Sequence, residues 1–189
     1  MKRVILPLFA LTCLAQWYIP GKMISDQEKI LSEGTTFRFK TAPIDPADPF
    51  RGKYITLSFE EDHVEVVNPS EWQQAQDVFV TLRDSAGFAK IDRVSMYEPE
   101  GDNFLRAKIR TVTSYEPYTL WLSYPFERFY LEESKASEAE RLYWSTQSDS
   151  TQQVYAVVNI LKGEAALKDV MINDRRIADV VKEINDRKD

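Results

Sequence analysis

The sequence predicts a mainly β fold, an antiparallel sandwich or partly open barrel of about eight strands with helices only at its periphery. The first observation behind this is that short stretches alternate apolar and polar residues with a period of two. The second is that turn-forming residues interrupt them at regular intervals, as at Asp84-Ser85-Ala86-Gly87, Glu100-Gly101-Asp102-Asn103 and Lys162-Gly163. The third is that helical patterning is confined to the two ends of the chain and one charged stretch. A length of 189 residues fits one folded domain better than two. No internal repeat or low-complexity linker divides it.

Residues 4–20 carry no charge and follow Lys2 and Arg3, the pattern of a signal anchor or a signal peptide. As a helix this run is about 25 Å long at ~1.5 Å per residue, a little short of a ~30 Å hydrocarbon core. Trp17 and Tyr18 fall where a far interface would lie, and Lys22 marks an exit. The anchor reading divides the chain into a cytoplasmic 1–3, a transmembrane 4–20 and a single extracytoplasmic domain over 21–189. The rival reading is cleavage after Cys13-Leu14-Ala15, before Gln16. A lipoprotein is disfavoured because Thr12 precedes Cys13 where a small residue is expected. Cys13 is the only cysteine, so the exported part has no disulfide and no thiol.

The elements follow in order. Residues 25–33 read as a short helix stopped by Gly34. Residues 35–40 read as a strand with Phe37 and Phe39 on one face. A strand over 54–59 places Ile55, Leu57 and Phe59 on one face and Tyr54, Thr56 and Ser58 on the other, as if both faces were covered. A short strand is expected at 64–67 and a polar segment around Trp72. A meander follows over 77–83, 88–96, 104–112 and 118–124. In its third strand Leu105, Ala107 and Ile109 point inward, and Arg106, Lys108 and Arg110 outward. Residues 132–143 read as a helix or helical loop, and 154–160 with 165–172 as a hairpin around Gly163. Ile177, Val180, Val181 and Ile184 form the stripe of an amphipathic C-terminal helix.

Lys and Arg number 24 against 30 Asp and Glu, a net charge of −6; without Lys2 and Arg3 the balance is 22 against 30, or −8. An acidic domain is a poor binder of nucleic acid and of anionic membrane surfaces.

The approach to the 54–59 strand is the most distinctive stretch. Pro46 and Pro49 fix their own φ and hold Asp45 and Asp48 extended, so no helix crosses it. Arg51 follows, and Gly52 permits backbone conformations closed to other residues. The whole stretch resembles the defining motif of the GDYXXLXY proteins, a bacterial family. Gly52, Tyr54 and Leu57 match its glycine, first tyrosine and leucine. Lys53 stands where the family has Asp, and Phe59 where it has its last Tyr. The first change argues against an essential carboxylate at that position; the second says that the ring matters more than its hydroxyl. Residues 125–133, with Arg128, Glu132 and Glu133, resemble the family's arginine–aromatic–glutamate stretch. Residues 154–172 resemble its closing hairpin. The resemblance covers about 25–172. The family has no established biochemical activity. The resemblance implies a domain anchored by a single pass in the bacterial inner membrane, with its C-terminal part in the periplasm or outside. It also implies a polytopic membrane protein as partner.

The chemistry-bearing residues are few. His63, the only histidine, lies among acidic residues and reads as surface decoration. Asp45 and Asp48 fit loop architecture better than a cation site or an acid–base pair. Arg106, Lys108 and Arg110 form a basic strand face suited to solvent, an acidic partner or a carboxylate. Ser95 and Lys108 are the pair that a signal-peptidase-like Ser/Lys hydrolase would need, although 98–103 is fully explained as a hairpin turn. Trp72, Trp121 and Trp144 are platforms for a small-ligand or glycan binder. The leading reading is a non-enzymatic envelope-protein binder with no cofactor and no metal. Its family-motif residues Asp45, Pro46, Asp48, Pro49, Arg51, Gly52, Tyr54 and Leu57 are expected to meet Arg128, Glu132 and Glu133 in one salt-bridged corner or one binding surface.

Overall fold

A computed structural model describes residues 2–42, 54–131, 138–143, 146 and 152–186. The chain opens with α1 (Lys2–Glu33), a single helix of 32 residues where the sequence suggested two. The helix continues past Pro20 and Gly21, supported by the i,i+4 pairs Lys22–Asp26 at 2.6 Å and Lys29–Glu33 at 3.9 Å. Gly34 ends it. Its amide donates to the Ile30 carbonyl at 3.0 Å, and a Cβ there would lie 2.5 Å from that same oxygen. The transmembrane helix expected over 4–20 is not found as such: among the described residues no helix is long and apolar enough to cross a membrane. The helix carries charge from Lys22 onward.

The strands are β1 (Thr35–Ala42), β2 (Tyr54–Thr56), β3 (Ser58–Phe59), β4 (His63–Glu65), β5 (Asp77–Ser85), β6 (Phe88–Ser95), β7 (Phe104–Val112), β8 (Thr119–Ser123), β9 (Arg128–Tyr130), β10 (Val154–Leu161), β11 (Glu164–Ile172) and β12 (Arg175–Arg176). Residues 138–143 are helical and are called α2; α3 (Ile177–Asp186) closes the described chain. All pairings between the described strands are antiparallel. They give one five-stranded sheet in the order β12-β11-β10-β1-β3, a second in the order β4-β8-β7-β5-β6, and a two-stranded ribbon of β2 and β9. The mainly β, antiparallel prediction therefore holds, with more and shorter strands than expected.

The two large sheets approach closure into a barrel. At one corner the β10–β11 turn reaches β7, where the Arg106 amide donates to the Gly163 carbonyl at 2.9 Å beside a parallel bridge from Leu105. Gly163 holds φ +83°, and a Cβ there would meet the Phe104 ring at 2.8 Å. The turn thus needs glycine for both conformation and space. At another corner the Lys40 ammonium of β1 lies over the Phe88 ring of β6, 4.9 Å from its centre.

Alternation in the sequence becomes burial in the fold. Leu105, Ala107 and Ile109 are buried, as are Phe37 and Phe39 on β1 and Ile55, Leu57 and Phe59 on the motif strand. Ile177 and Val181 bury the apolar stripe of α3. The far end of α1 belongs to the same body: Ile30 is buried, and Asn159 of β10 donates from Nδ2 to the Leu31 carbonyl at 2.8 Å.

Candidate functional site

The motif strand and the arginine–aromatic stretch meet as neighbouring strands. Tyr54 pairs with Tyr130, Ile55 with Phe129 and Thr56 with Arg128. Leu57 falls between β2 and β3 because its amide turns to the Glu127 carbonyl, at 2.8 Å. From there β3 passes to β1, pairing Phe59 with Thr41. The family-like segments are thus consecutive strands of one surface.

On the inner side of this junction four rings close together. Phe39, Phe59, Tyr124 and Phe126 lie with centroids 5.1 to 5.9 Å apart, and Tyr124 and Phe126 stack within 3° of parallel. Phe59 is 2% exposed, so the position where the family has tyrosine is here a dry aromatic contact.

A polar network wraps the rim of that cluster. Arg110 donates from Nη2 to Glu127 Oε1 at 2.8 Å, and the same oxygen accepts from the Tyr124 amide at 3.0 Å. Asp62 is buried; it lies 3.8 Å from Arg110 Nη1 and 3.1 Å from His63 Nδ1. Glu61 takes the Lys90 ammonium on one oxygen and the Ile91 amide, at 3.1 Å, on the other. The Tyr124 hydroxyl donates to the Glu61 carbonyl. Burial, reinforced by the carboxylates of Asp62, Glu61 and Glu127, pushes the Tyr124 phenol well above its ordinary range, so it stays a donor. Each charge has a partner, which makes this network a clamp holding β3, β7 and β8 around the motif strand.

On the outer side the contacts are aromatic. Tyr54 and Tyr130 sit 5.5 Å apart, and the Arg128 guanidinium lies 5.2 Å over the Tyr54 ring. This face is not covered as the sequence suggested: Tyr54 is half-buried, Thr56 exposed, and Tyr130 64% exposed. Among the described residues Arg128 meets a ring where a carboxylate was expected. Asp45, Pro46, Asp48, Pro49, Arg51, Gly52, Glu132 and Glu133 lie outside the described residues, and so does Trp144.

The remaining sequence candidates fall elsewhere. His63 begins β4 and stacks on Trp121 at 4.7 Å, which makes it part of a sheet edge. Trp72 packs partly buried against the core. Arg106 pairs with Glu164 at 3.2 Å and Lys108 with Asp77 at 3.7 Å, so the basic strand face is occupied by the protein's own acids. Ser95 and Lys108 are not brought together: β5 runs between their strands, and Ser95 Oγ accepts the Tyr97 amide at 3.0 Å. Among the described residues no group of three or more His, Cys, Asp or Glu could hold a metal ion.

Sequence reasoning missed Glu61, Asp62, Tyr124 and Glu127. The one available signal was the run Glu60-Glu61-Asp62 directly after the motif strand, opposite a chain segment whose outward residues are all basic.

Comparison with known families gives one match: the family model described as GDYXXLXY protein covers residues 16–170. No curated protein and no solved structure matches the chain.

Proposed function

This chain belongs to the GDYXXLXY family, and we propose that it works as a membrane-tethered, extracytoplasmic binding domain with an integral membrane protein as its partner. One observation carries the reading. The N-terminal part of α1 exposes Phe9, Leu11, Trp17, Tyr18, Ile19, Met23 and Ile24, with Trp17 82% exposed. A helix apolar around its circumference and uncovered by its own domain finds its burial in lipid or in another protein. Lys2 and Arg3 at its start favour the cytoplasmic side for that end, which exports the β domain. The charged half of the same helix meets the domain at β10, through buried Ile30 and the Asn159 bond to the Leu31 carbonyl.

Non-enzymatic action is supported by the site itself. The motif clamp is internally paired, and the outer face offers rings and a guanidinium, groups that recognise surfaces. The test is fractionation of the full-length protein from its own bacterium. It should remain in the membrane fraction after a carbonate wash, at full length, and crosslink there to a polytopic protein. A soluble mature species beginning at Gln16 overturns the tether.

A further inference from the structure

We propose that the edge formed by β4 and the β7–β8 loop is a docking groove for an extended, basic segment of another protein. This rests on the reading of the domain as a binding module and is independent of how the domain is tethered.

The groove measures about 470 Å³ and is lined by Glu65, Val66, Val67, Glu116, Pro117 and Tyr118. It is shallow and open, its other lining residues are apolar or aromatic, and both of its charges are negative. Val67 is 96% exposed, while Val66 is half-buried against the core. Among the described residues neither Glu65 nor Glu116 has an ion-pair partner. In the motif clamp, and on the outward face of β7, the acids are consumed by Arg106, Lys108, Arg110 and Lys90. Unpaired carboxylates around the bare Val67 complement a cationic, partly apolar ligand.

The loop holding this surface is fixed. The Thr119 amide donates to Thr113 Oγ1 at 2.7 Å, the Thr113 amide to the Thr119 carbonyl at 3.0 Å, and the Val66 amide to the Tyr118 carbonyl at 2.8 Å. Thr119 Oγ1 donates to the Pro117 carbonyl at 3.1 Å. A prepaid loop conformation lowers the entropy cost of binding.

The occupant follows from charge and edge geometry. β4 is the outermost strand of its sheet and pairs only with β8 among the described strands. An open edge accepts an added strand through backbone hydrogen bonds. Side chains of that strand would reach Val66 and Val67, and Lys or Arg at alternate positions would reach Glu65 and Glu116. An anionic lipid surface is repelled by the same carboxylates. The groove also lies at the Val112 end of β7, whereas the β10–β11 turn meets β7 at Leu105; at ~3.4 Å per residue the separation along the strand is roughly 24 Å. It therefore sits at the end of the domain away from the Gly163 corner.

The test is selection of random-sequence peptides on the full-length protein in detergent. Selected peptides should alternate Lys or Arg with apolar residues. Their binding should fall with added salt, and roughly tenfold in the Glu65→Lys, Glu116→Lys double variant. Val67→Asp should weaken them by removing the exposed apolar contact. All three positions are exposed, so an unchanged melting curve separates lost binding from lost folding. Selected peptides without basic residues, no selected peptide, or affinity unmoved by the double variant overturns the proposal. So does Val67-dependent binding to phosphatidylcholine vesicles, which assigns the patch to lipid, or Val67-dependent dimerisation. A protein that leaves the membrane in carbonate but still selects basic peptides loses its tether and keeps its groove; the reverse result separates the two equally well.

Discussion

The motif junction and the N-terminal part of α1 solve opposite problems. At the junction, four rings are packed and Glu61, Asp62, Arg110 and Glu127 are met by partners. Along α1, apolar side chains from Phe9 to Ile24 are left bare. The joint between them is small: Ile30, Gly34 and the Asn159 bond to the Leu31 carbonyl. A mutation at the junction should therefore register as stability. A mutation on the bare helix should register as location.

The largest effect is expected at Phe59. Phe59→Ala removes the ring that touches Phe39, Tyr124 and Phe126, and should cost about 3–5 kcal/mol, enough to unfold a marginal domain. Denaturant titration of the full chain measures it. A loss no greater than that of an exposed residue would mean the junction is not the keystone of the fold.

The joint comes next. Asn159 accepts from Thr36 Oγ1 at 3.0 Å while donating to Leu31, so Asn159→Ala leaves two groups without partners. A cost of about 1–3 kcal/mol is expected. Amide exchange should quicken first at 30–35, where helix and sheet join. Uniform quickening would place the residue in the global fold and remove its special role at the joint.

Tyr124 sharpens the comparison through pH. The unfolded chain releases a tyrosine proton near 10.0, while the buried phenol keeps its proton to higher pH. Above that value the unfolded state binds fewer protons than the folded one, so stability falls as pH rises. The contribution is fully present below 10.0 and lost above it. Tyr143, through burial, and Tyr155, through burial and its bond to Asp174, are raised in the same direction. Tyr124→Phe should cost about 1 kcal/mol at neutral pH and flatten the alkaline loss of melting temperature. An unchanged alkaline limb would assign that loss to Tyr143 and Tyr155.

These two regions also mark what could be read from the sequence. Alternation located β1, β5 and β7, because each has one face in the core; Leu105, Ala107 and Ile109 need no partner to be recognised as inward. The turn at Lys162-Gly163 located β10 and β11, and β10 is buried on both faces. Alternation could not find β9 or the interruption at Leu57. The interruption depends on a backbone bond from Leu57 to Glu127, and β9 on its pairing with β2, in both cases across residues far apart in the chain. It also overestimated the covering of Tyr54, since a strand's second face is set by whatever packs there, here only Arg128 and Tyr130. The clamp was illegible for the same reason: no spacing rule joins Glu61, Asp62, Arg110 and Glu127. The apolar segment of α1 was plainly legible as composition. Its merging with 25–33 into one helix was not, because Pro20 and Gly21 argue locally for a break that the flanking turns override.

The smallest effect on stability should accompany the largest effect on location. Trp17 and Tyr18 are 82% and 69% exposed. Replacing both with Ser should leave the folding free energy within about 0.5 kcal/mol, as for surface positions generally. The same change removes two amphipathic rings from the segment proposed to enter the membrane interface, where such rings are favoured. The double variant should melt like the parent and yet shift toward the soluble fraction under carbonate, while an Asp84→Ser control on a distant turn does neither. If the variant loses stability instead, these rings belong to a fold contact and α1 is a structural helix. If it keeps both stability and membrane retention, attachment depends on the earlier apolar residues, and the boundary between tether and domain moves toward the N-terminus.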